Sequence, residues 1–346
     1  MKTILTRDEF RQKVFERDNR KCVICSSEAK DAHHIIERRL FEDGGYHIDN
    51  GASLCENCHI KAEQTIISCD EIREAAKITT IVLPDEFGYD EIYDKWGNPI
   101  LPDGRRVRGE LFFDESAQKI LKSGGVLDLF TPWVKYPKTK HFPWSEGQTK
   151  DDRTLSHEEM TRLFSGREVI VTEKIDGENS SAYQDYLHAR SIDGRNHPSR
   201  NWLKNFHAKI QYHIPDHWRI CGENVFAKHS IKYKNLPSYF LAFAIFDDKN
   251  NCLKWDDFIE WCKLLDLTPV PVLYRGIFDE EKIKECYTGN SVYEGSDAQE
   301  GYVMRLSDVI PFTQYKDSLA KFVRKNHVQT NHNWMNQPIV KNELRR

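Results

Sequence analysis

Two short segments, CVIC (22–25) and CENC (55–58), constrain this chain more than any other feature. Each CxxC knuckle turns two thiols toward one point, and a matched pair supplies the four sulfur ligands of a tetrahedral structural zinc site. Cys22, Cys25, Cys55 and Cys58 are therefore the expected Zn²⁺ ligands. The chain holds nine cysteines, an odd number, and the grouping of four into knuckles favours metal over disulfides in a cytosolic protein. With metal bound, a module too small to bury a proper core can still fold.

The zinc module cannot account for the whole molecule. At 346 residues the chain suits two or three domains, because single cores stop growing efficiently at roughly 250 residues. No run of eighteen apolar residues could span a bilayer. MKTILTRDEFRQ gains charge at Arg7 and Asp8 before an apolar stretch develops, so no signal peptide is read. The expectation is a cytoplasmic protein with no membrane partner. A formal net charge of -4 gives no global attraction to nucleic acid. Binding would have to come from local basic stretches such as PDGRRVRGE (102–110) and HPSRNWLK (197–204), whose other reading is a solvated face.

No internal repeat or low-complexity tract is present. RDEFRQKVFERD (7–18) spaces Phe10, Val14 and Phe15 at helical intervals, and DEIREAAK (70–77) reads as a short helix. WGNPILPDGRR (96–106) carries two turn signals and predicts a hairpin or irregular connector. KYPKTKHFPWSEGQTKDD (135–152), rich in Pro, Gly and charge, suits an extended segment between domains or over a domain surface. From about residue 168 the texture becomes short β-rich runs, EVIVTEKI, SSAYQDYLHARS, HWRICGENVF, YFLAFAIFD and EGYVMRL, interrupted by helical stretches such as WDDFIEWCKLLDL (255–267). This mixture predicts an α+β domain with mostly antiparallel sheets.

Between and after the knuckles lie DAHHII (31–36), Asn50 in IDNGASLC and His59 in CENCHIKAE. In this order they resemble an HNH endonuclease of the ββα-metal type. The chemistry needs a neutral imidazole to activate water and a divalent cation to hold the scissile phosphate. The resemblance assigns His34 as general base, His33 and His59 as ligands of the catalytic metal, and Asn50 as the residue that fixes the loop carrying the base. His33 stands where many HNH proteins have Asp. The other reading is a zinc-stapled module that binds nucleic acid without cutting it.

TEKIDGEN (172–179) ends an apolar run on Lys174. An amine attacks phosphorus only when unprotonated, so a nucleophilic lysine is expected where burial or nearby positive charge lowers its pKa. Downstream come HARS with Arg190, CGEN with Glu223, YFLAFAIFD with Phe243 and Phe246, EGYVMR with Glu300, and AKFVRKNH with Lys321. Together these resemble the successive motifs of covalent nucleotidyltransferases, and most closely RNA ligases of the phage RNA ligase 2 type and their bacterial relatives. KYPKTKHFPWSEGQTKDDR and KFVRKNHVQTNHNW look like the start and end of that bacterial group, so the resemblance covers about residues 134–346.

The resemblance implies that Lys174 attacks the α-phosphate of ATP. Glu173, Arg190, Glu223, Phe243, Glu300 and Lys321 form the nucleotide site, with Phe246 as the other candidate for stacking on adenine. Asp176, Gly177 and Asn179 complete the nucleophile motif. At the spacing where the family has its second lysine this chain has Val323, leaving Arg324 or Lys325 to stand in. Only 21 residues follow Lys325, too few for the OB domain of DNA ligases and capping enzymes.

The fold class expected is α+β: a zinc-stapled ββα-metal (HNH) domain at 1–65, a connector with short helices and a hairpin at 66–133, and an antiparallel-sheet nucleotidyltransferase (ATP-grasp-like ligase) domain at 134–346, without a C-terminal OB domain. The function expected is ATP-dependent RNA sealing with a nuclease module. The cofactors are ATP, Mg²⁺ or Mn²⁺, and Zn²⁺, and the partner is nucleic acid, RNA before DNA, as a nicked or broken duplex. A DNA nick sealer, or an HNH nuclease with a nucleotide-sensing degenerate ligase domain, are the readings left open.

Overall fold

The computed structural model describes residues 4–85, 87–148, 152–190, 197–325 and 338–345. It divides into two compact units, Met1–Lys135 and Tyr136–Arg346. Residues 326–334 of KFVRKNHVQTNHNW and 149–151 of the Pro-rich segment lie outside the described residues. Among the described residues no helix is long and apolar enough to cross a membrane.

The first unit opens with helix α1 (Arg7–Arg17), started by a capping box in which the Thr6 side chain accepts from the Glu9 N–H and the Glu9 carboxylate accepts from the Thr6 N–H. Phe10, Val14 and Phe15 form its buried stripe. Strands β1 (Asp31–His34) and β2 (Gly51–Leu54) pair antiparallel with His34 opposite Gly51. Helix α2 (Glu56–Glu63) follows, and the three make a ββα unit.

Helix α3 (Cys69–Ala75) starts at a second capping box on Ser68. A small sheet of β3 (Ile92–Tyr93), β4 (Pro99–Ile100), β5 (Arg106–Arg108) and β6 (Phe130–Val134) then carries the two turns, with helix α4 (Glu115–Ser123) before its last strand. The 66–133 segment is no loose tether. Ile72, Val82, Leu83 and Tyr93 share one core with Ile35, Ile36 and Leu54 of the ββα unit, so an extension of the zinc module supplies apolar area that the ββα unit lacks.

The second unit runs α5 (His157–Phe164), β7 (Glu168–Lys174), β8 (Glu178–Ala182), β9 (Leu187–Ala189), α6 (Asn201–Ile210), β10 (Arg219–Asn224), β11 (Phe240–Phe246), β12 (Asn251–Cys252), α7 (Trp255–Leu264), β13 (Thr268–Pro269), β14 (Val272–Ile277), α8 (Glu280–Glu285), β15 (Gly301–Leu306), β16 (Ile310–Pro311) and β17 (Leu319–Val323). One sheet is ordered β16-β12-β11-β10-β8-β9, with β13 joining β11 in parallel. The other is ordered β14-β7-β15-β17 and is antiparallel throughout.

The loop Ile175–Gly177 carries the chain from β7 in one sheet to β8 in the other. Lys174 therefore sits where the two sheets meet. Gly301, opposite Lys174 in the register, lets β15 approach β17: a Cβ there would stand 1.9 Å from the Phe322 carbonyl oxygen.

Two arginines of the basic stretches turn inward rather than forming solvated faces. Arg106 is 8% exposed and pairs with Asp94 at 3.3 Å, while Arg200 pairs with Glu178. A guanidinium this buried needs such a partner, which removes both from any exposed basic patch.

Candidate active sites

In the first unit the sulfurs of Cys22, Cys25, Cys55 and Cys58 all lie within 4.8 Å of one another. Cys25 Sγ and Cys55 Sγ are 3.5 Å apart, close to the edge of about 3.8 Å that a tetrahedron of Zn–S bonds of about 2.3 Å requires. The four thiols fit a Cys₄ zinc site, which fastens the loop before β1 to the start of α2.

β1 ends on the adjacent histidines, and alternation along a strand sends them to opposite faces. His33 faces α2, where its Nδ1 lies 3.4 Å from Glu63 Oε1, and His59 Nε2 lies 3.3 Å from the same oxygen. His59 and Glu63 stand one helical turn apart on one face of α2. The ligand atoms of His33, His59 and Glu63 converge within 4.8 Å. His33 is 2% exposed, yet neither ring nitrogen makes a hydrogen bond among the described residues. Two orphaned imidazole nitrogens beside a carboxylate fit a divalent cation.

Burial, with the Lys95 charge second, holds the His33 pKa down to about 3. Burial pushes the Glu63 carboxyl up, but His33, His59 and Lys95 outweigh it and hold it well below the usual range.

His34 faces the other way. Its ring stacks on Phe10 at 4.5 Å between centroids and meets Tyr46 edge-on at 5.2 Å. Burial and Lys95 lower its pKa to about 4, which leaves the imidazole neutral near pH 7. Asn50 brackets the turn after it: its Oδ1 accepts from the Ile36 N–H at 2.9 Å and its Nδ2 donates to the Ile36 and Gly45 carbonyls at 3.0 and 3.2 Å. Glu63 was missed in the sequence, although its i,i+4 spacing from His59 in CENCHIKAE was the available signal.

In the second unit Lys174 lines a cavity of about 490 Å³ together with Glu223, Arg190, Phe243 and Lys321. The volume is in the range of small-ligand pockets. Lys174 Nζ donates to both oxygens of Glu300 at 2.7 Å. The side chains are 25% and 6% exposed respectively.

The expectation that burial would lower this pKa is overturned. Burial does pull it down, but Glu300, Glu223 and Asp176 together outweigh burial and raise it above the ordinary lysine value. The resting amine is an ammonium in a salt bridge. Burial in turn pushes the Glu223 carboxyl up to about 8, against the pull of Lys174.

Gly177 and Asp176 explain the motif around the lysine. A Cβ at Gly177 would stand 2.7 Å from the Asn224 carbonyl oxygen, so only glycine lets this loop close onto β10. Asp176 accepts from the Ser230 and Ile231 N–H groups at 2.7 and 2.8 Å, which ties the loop down. Asn179 lines the cavity with its Oδ1 buried and without a hydrogen-bond partner among the described residues. Glu173, 2% exposed, accepts from the Val292 N–H at 2.9 Å, away from the amine.

Phe243 and Phe246 separate cleanly. Phe243 lines the cavity, edge-on to Tyr136 at 5.3 Å. Phe246 is fully buried under the Arg219 guanidinium at 3.8 Å and belongs to the core. Lys321 stands 3.7 Å from Asp152, and burial lowers its pKa to about 8. Lys325 is exposed, and neither it nor Arg324 lines the cavity. Another cation, Lys138, lines the cavity from the extended segment after Lys135. Tyr136, Lys138 and His229 were all missed, because each reaches the cavity from a segment without regular structure.

Residues 167–323 match the model of the RNA ligase family and residues 22–65 match that of the HNH endonuclease family. Among solved structures the chain is similar to an archaeal ATP-dependent RNA ligase, at 14% identity and a TM-score of 0.37 over 55% of this chain and 48% of that one. It is also similar to a Naegleria gruberi RNA ligase variant with ATP and Mn, at 18% identity and a TM-score of 0.37 over 56% of this chain and 60% of that one. The chain thus spans about half the length of these solved relatives. No curated protein matches it. By its two family matches, this chain joins an HNH endonuclease domain to an RNA ligase domain.

Proposed function

We propose that the protein is an ATP-dependent RNA ligase that joins 5′-phosphate and 3′-hydroxyl ends through a lysyl-AMP intermediate, with an HNH nuclease module on the same chain, and that it acts in nucleic-acid repair. The observation that carries this reading is the Lys174 amine, paired with Glu300 and placed in a cavity with Glu223, Phe243 and Lys321.

Lys174 Nζ attacks the α-phosphorus of ATP. An N–P bond forms, the bond to the bridging oxygen breaks, and pyrophosphate leaves with that electron pair. A 5′-phosphate oxygen then attacks the AMP phosphorus, the N–P bond breaks and the amine is regenerated. A 3′-hydroxyl, giving its proton to solvent, attacks the 5′-phosphate phosphorus, and the bond to AMP breaks as AMP leaves. Phe243 offers a face for adenine, and Lys321 and Arg190 neutralise charge on the phosphates. Glu223 and Asn179 offer hard oxygens to the cavity and Glu300 lies beside Lys174, the ligand chemistry that would hold Mg²⁺ or Mn²⁺. Bound with the triphosphate, that cation supplies positive charge that lowers the pKa of the amine and clamps phosphate oxygens.

In the nuclease module His34 would take the proton from the water that attacks phosphorus as the bond to the leaving oxygen breaks, and His33, His59 and Glu63 would hold a divalent cation whose positive charge favours that departure. Repair in which damaged ends are trimmed and rejoined accounts for the pairing of the two activities.

The test is sealing of nicked RNA, nicked DNA and hybrid duplexes by wild type and Lys174→Ala. Sealing of nicked RNA that is lost in Lys174→Ala supports the reading. Preference for nicked DNA replaces it with a DNA nick sealer, and no sealing by wild type ends it.

A further inference from the structure

The turn Asp94-Lys95-Trp96-Gly97 lies beyond residues 22–65, which match the HNH model, yet it touches both elements that carry the nuclease residues. Lys95 is 4% exposed. Its Nζ donates to the His34 carbonyl oxygen at 3.0 Å and pairs with Glu63 Oε1 at 3.1 Å and Glu37 Oε2 at 3.3 Å. Its own carbonyl oxygen accepts from the Glu37 N–H at 2.8 Å. The next residue, Trp96, donates its indole N–H to the Glu63 carbonyl oxygen at 2.8 Å. The turn itself is held by Asp94 Oδ1, which accepts from the Trp96 and Asn98 N–H groups at 2.9 and 3.0 Å.

We propose that Lys95 and Trp96 are positioning residues of the nuclease site, bridging the end of β1, which carries His33 and His34, to the last turn of α2, which carries His59 and Glu63. A buried ammonium is costly, and a well-packed apolar residue in its place is often neutral or stabilising. Its value here lies in geometry. One ammonium fixes the peptide of His34 and aims the Glu63 carboxylate, while Trp96 fixes the Glu63 backbone. Partners of this kind outside the ligand set are typically worth 10–100-fold in metal affinity or activity.

The proposal rests on the nuclease reading, but its sharpest test does not need cleavage. Mn²⁺ is titrated into zinc-loaded full-length protein and followed by the paramagnetic resonance signal of free Mn²⁺. The fraction lost in His59→Ala defines the nuclease site.

Lys95→Met is expected to weaken that site 10–100-fold and Trp96→Phe several-fold, with zinc content unchanged in both. If Lys95 were only a counter-charge, its removal would tighten Mn²⁺ binding, since like charges repel. Tighter or unchanged binding in Lys95→Met, with unchanged binding in Trp96→Phe, overturns the proposal. So does a wild type with no Mn²⁺ site sensitive to His59→Ala. Wild type that binds Mn²⁺ there without nicking nucleic acid ends the nuclease reading, while the affinities still decide the positioning role.

Discussion

The two centres both withdraw ionisable groups from solvent, yet those groups reach opposite charge states. In the HNH domain, burial and the Lys95 cation act together, and His33 and His34 are held neutral at about 3 and about 4. In the ligase domain, burial acts on Lys174 in the same sense, toward the neutral form, but Glu300, Glu223 and Asp176 overrule it. Burial alone therefore does not set the protonation state of a reactive group; the charges packed around it do. On the proposed roles, the His34 imidazole rests neutral, the form a general base needs, whereas the Lys174 amine rests protonated and would have to lose a proton before attacking phosphorus.

The largest effect that could break this comparison is at the pre-set centre. His34→Ala should reduce metal-dependent nicking by about 10³-fold, within the range for loss of a general base, and leave AMP transfer unchanged. Unaltered nicking would remove His34 from the account.

At the other centre, Glu300→Gln should lower adenylylation by about 100-fold, as for other groups placed to stabilise developing charge. The same change removes the strongest charge holding Lys174 protonated. The reactivity of Lys174 toward an amine-directed acylating reagent, in the absence of ATP, should therefore rise, since more of the amine is then free. A fall in both would mean that Glu300 holds the lysine in place rather than holding its proton.

Acid stability tests whether burial has the stated sign where carboxylates do not dominate. His188 in the ligase domain is 3% exposed, and burial holds its pKa at about 4. The unfolded chain takes up this proton below about 6.5 and the folded chain only near 4, so the stability is complete above pH 6.5 and is lost as pH falls toward 4. The loss from this group is at most about 3 kcal/mol. Denaturant melts from pH 7 to pH 4 should show a shallower decline in His188→Asn than in wild type.

The smallest expected effect is that of Phe243→Leu. It should raise the KM for ATP by about fivefold, the lower end of base stacking on an aromatic ring, while Phe246→Leu should act through stability instead.

What the sequence disclosed, and what it hid, follows the same physics. CVIC, CENC, HH and TEKIDGEN are local, because a zinc knuckle or a strand end followed by a tight loop needs particular residues at fixed short spacings. Gly177 is readable for that reason: the loop must close on β10, and only glycine can.

The charge state of Lys174 was not readable, because Glu300 lies 126 residues away in sequence and arrives only through the pairing of β7 with β15. Lys95 was hidden in the same way, 61 residues beyond the His34 it supports. Lys138 reaches the cavity from a segment whose composition predicts only an extended chain. Glu63 is different. It stands four residues after His59 on the same helix face, a local spacing that the sequence displays directly.

The most direct test of the central claim is to incubate the full-length protein with ATP and Mn²⁺, without RNA, and to map the modified peptide by mass spectrometry. A single AMP adduct is expected on the peptide containing Lys174, absent from Lys174→Ala. An adduct on another residue, or none under conditions where the protein binds ATP, would contradict it.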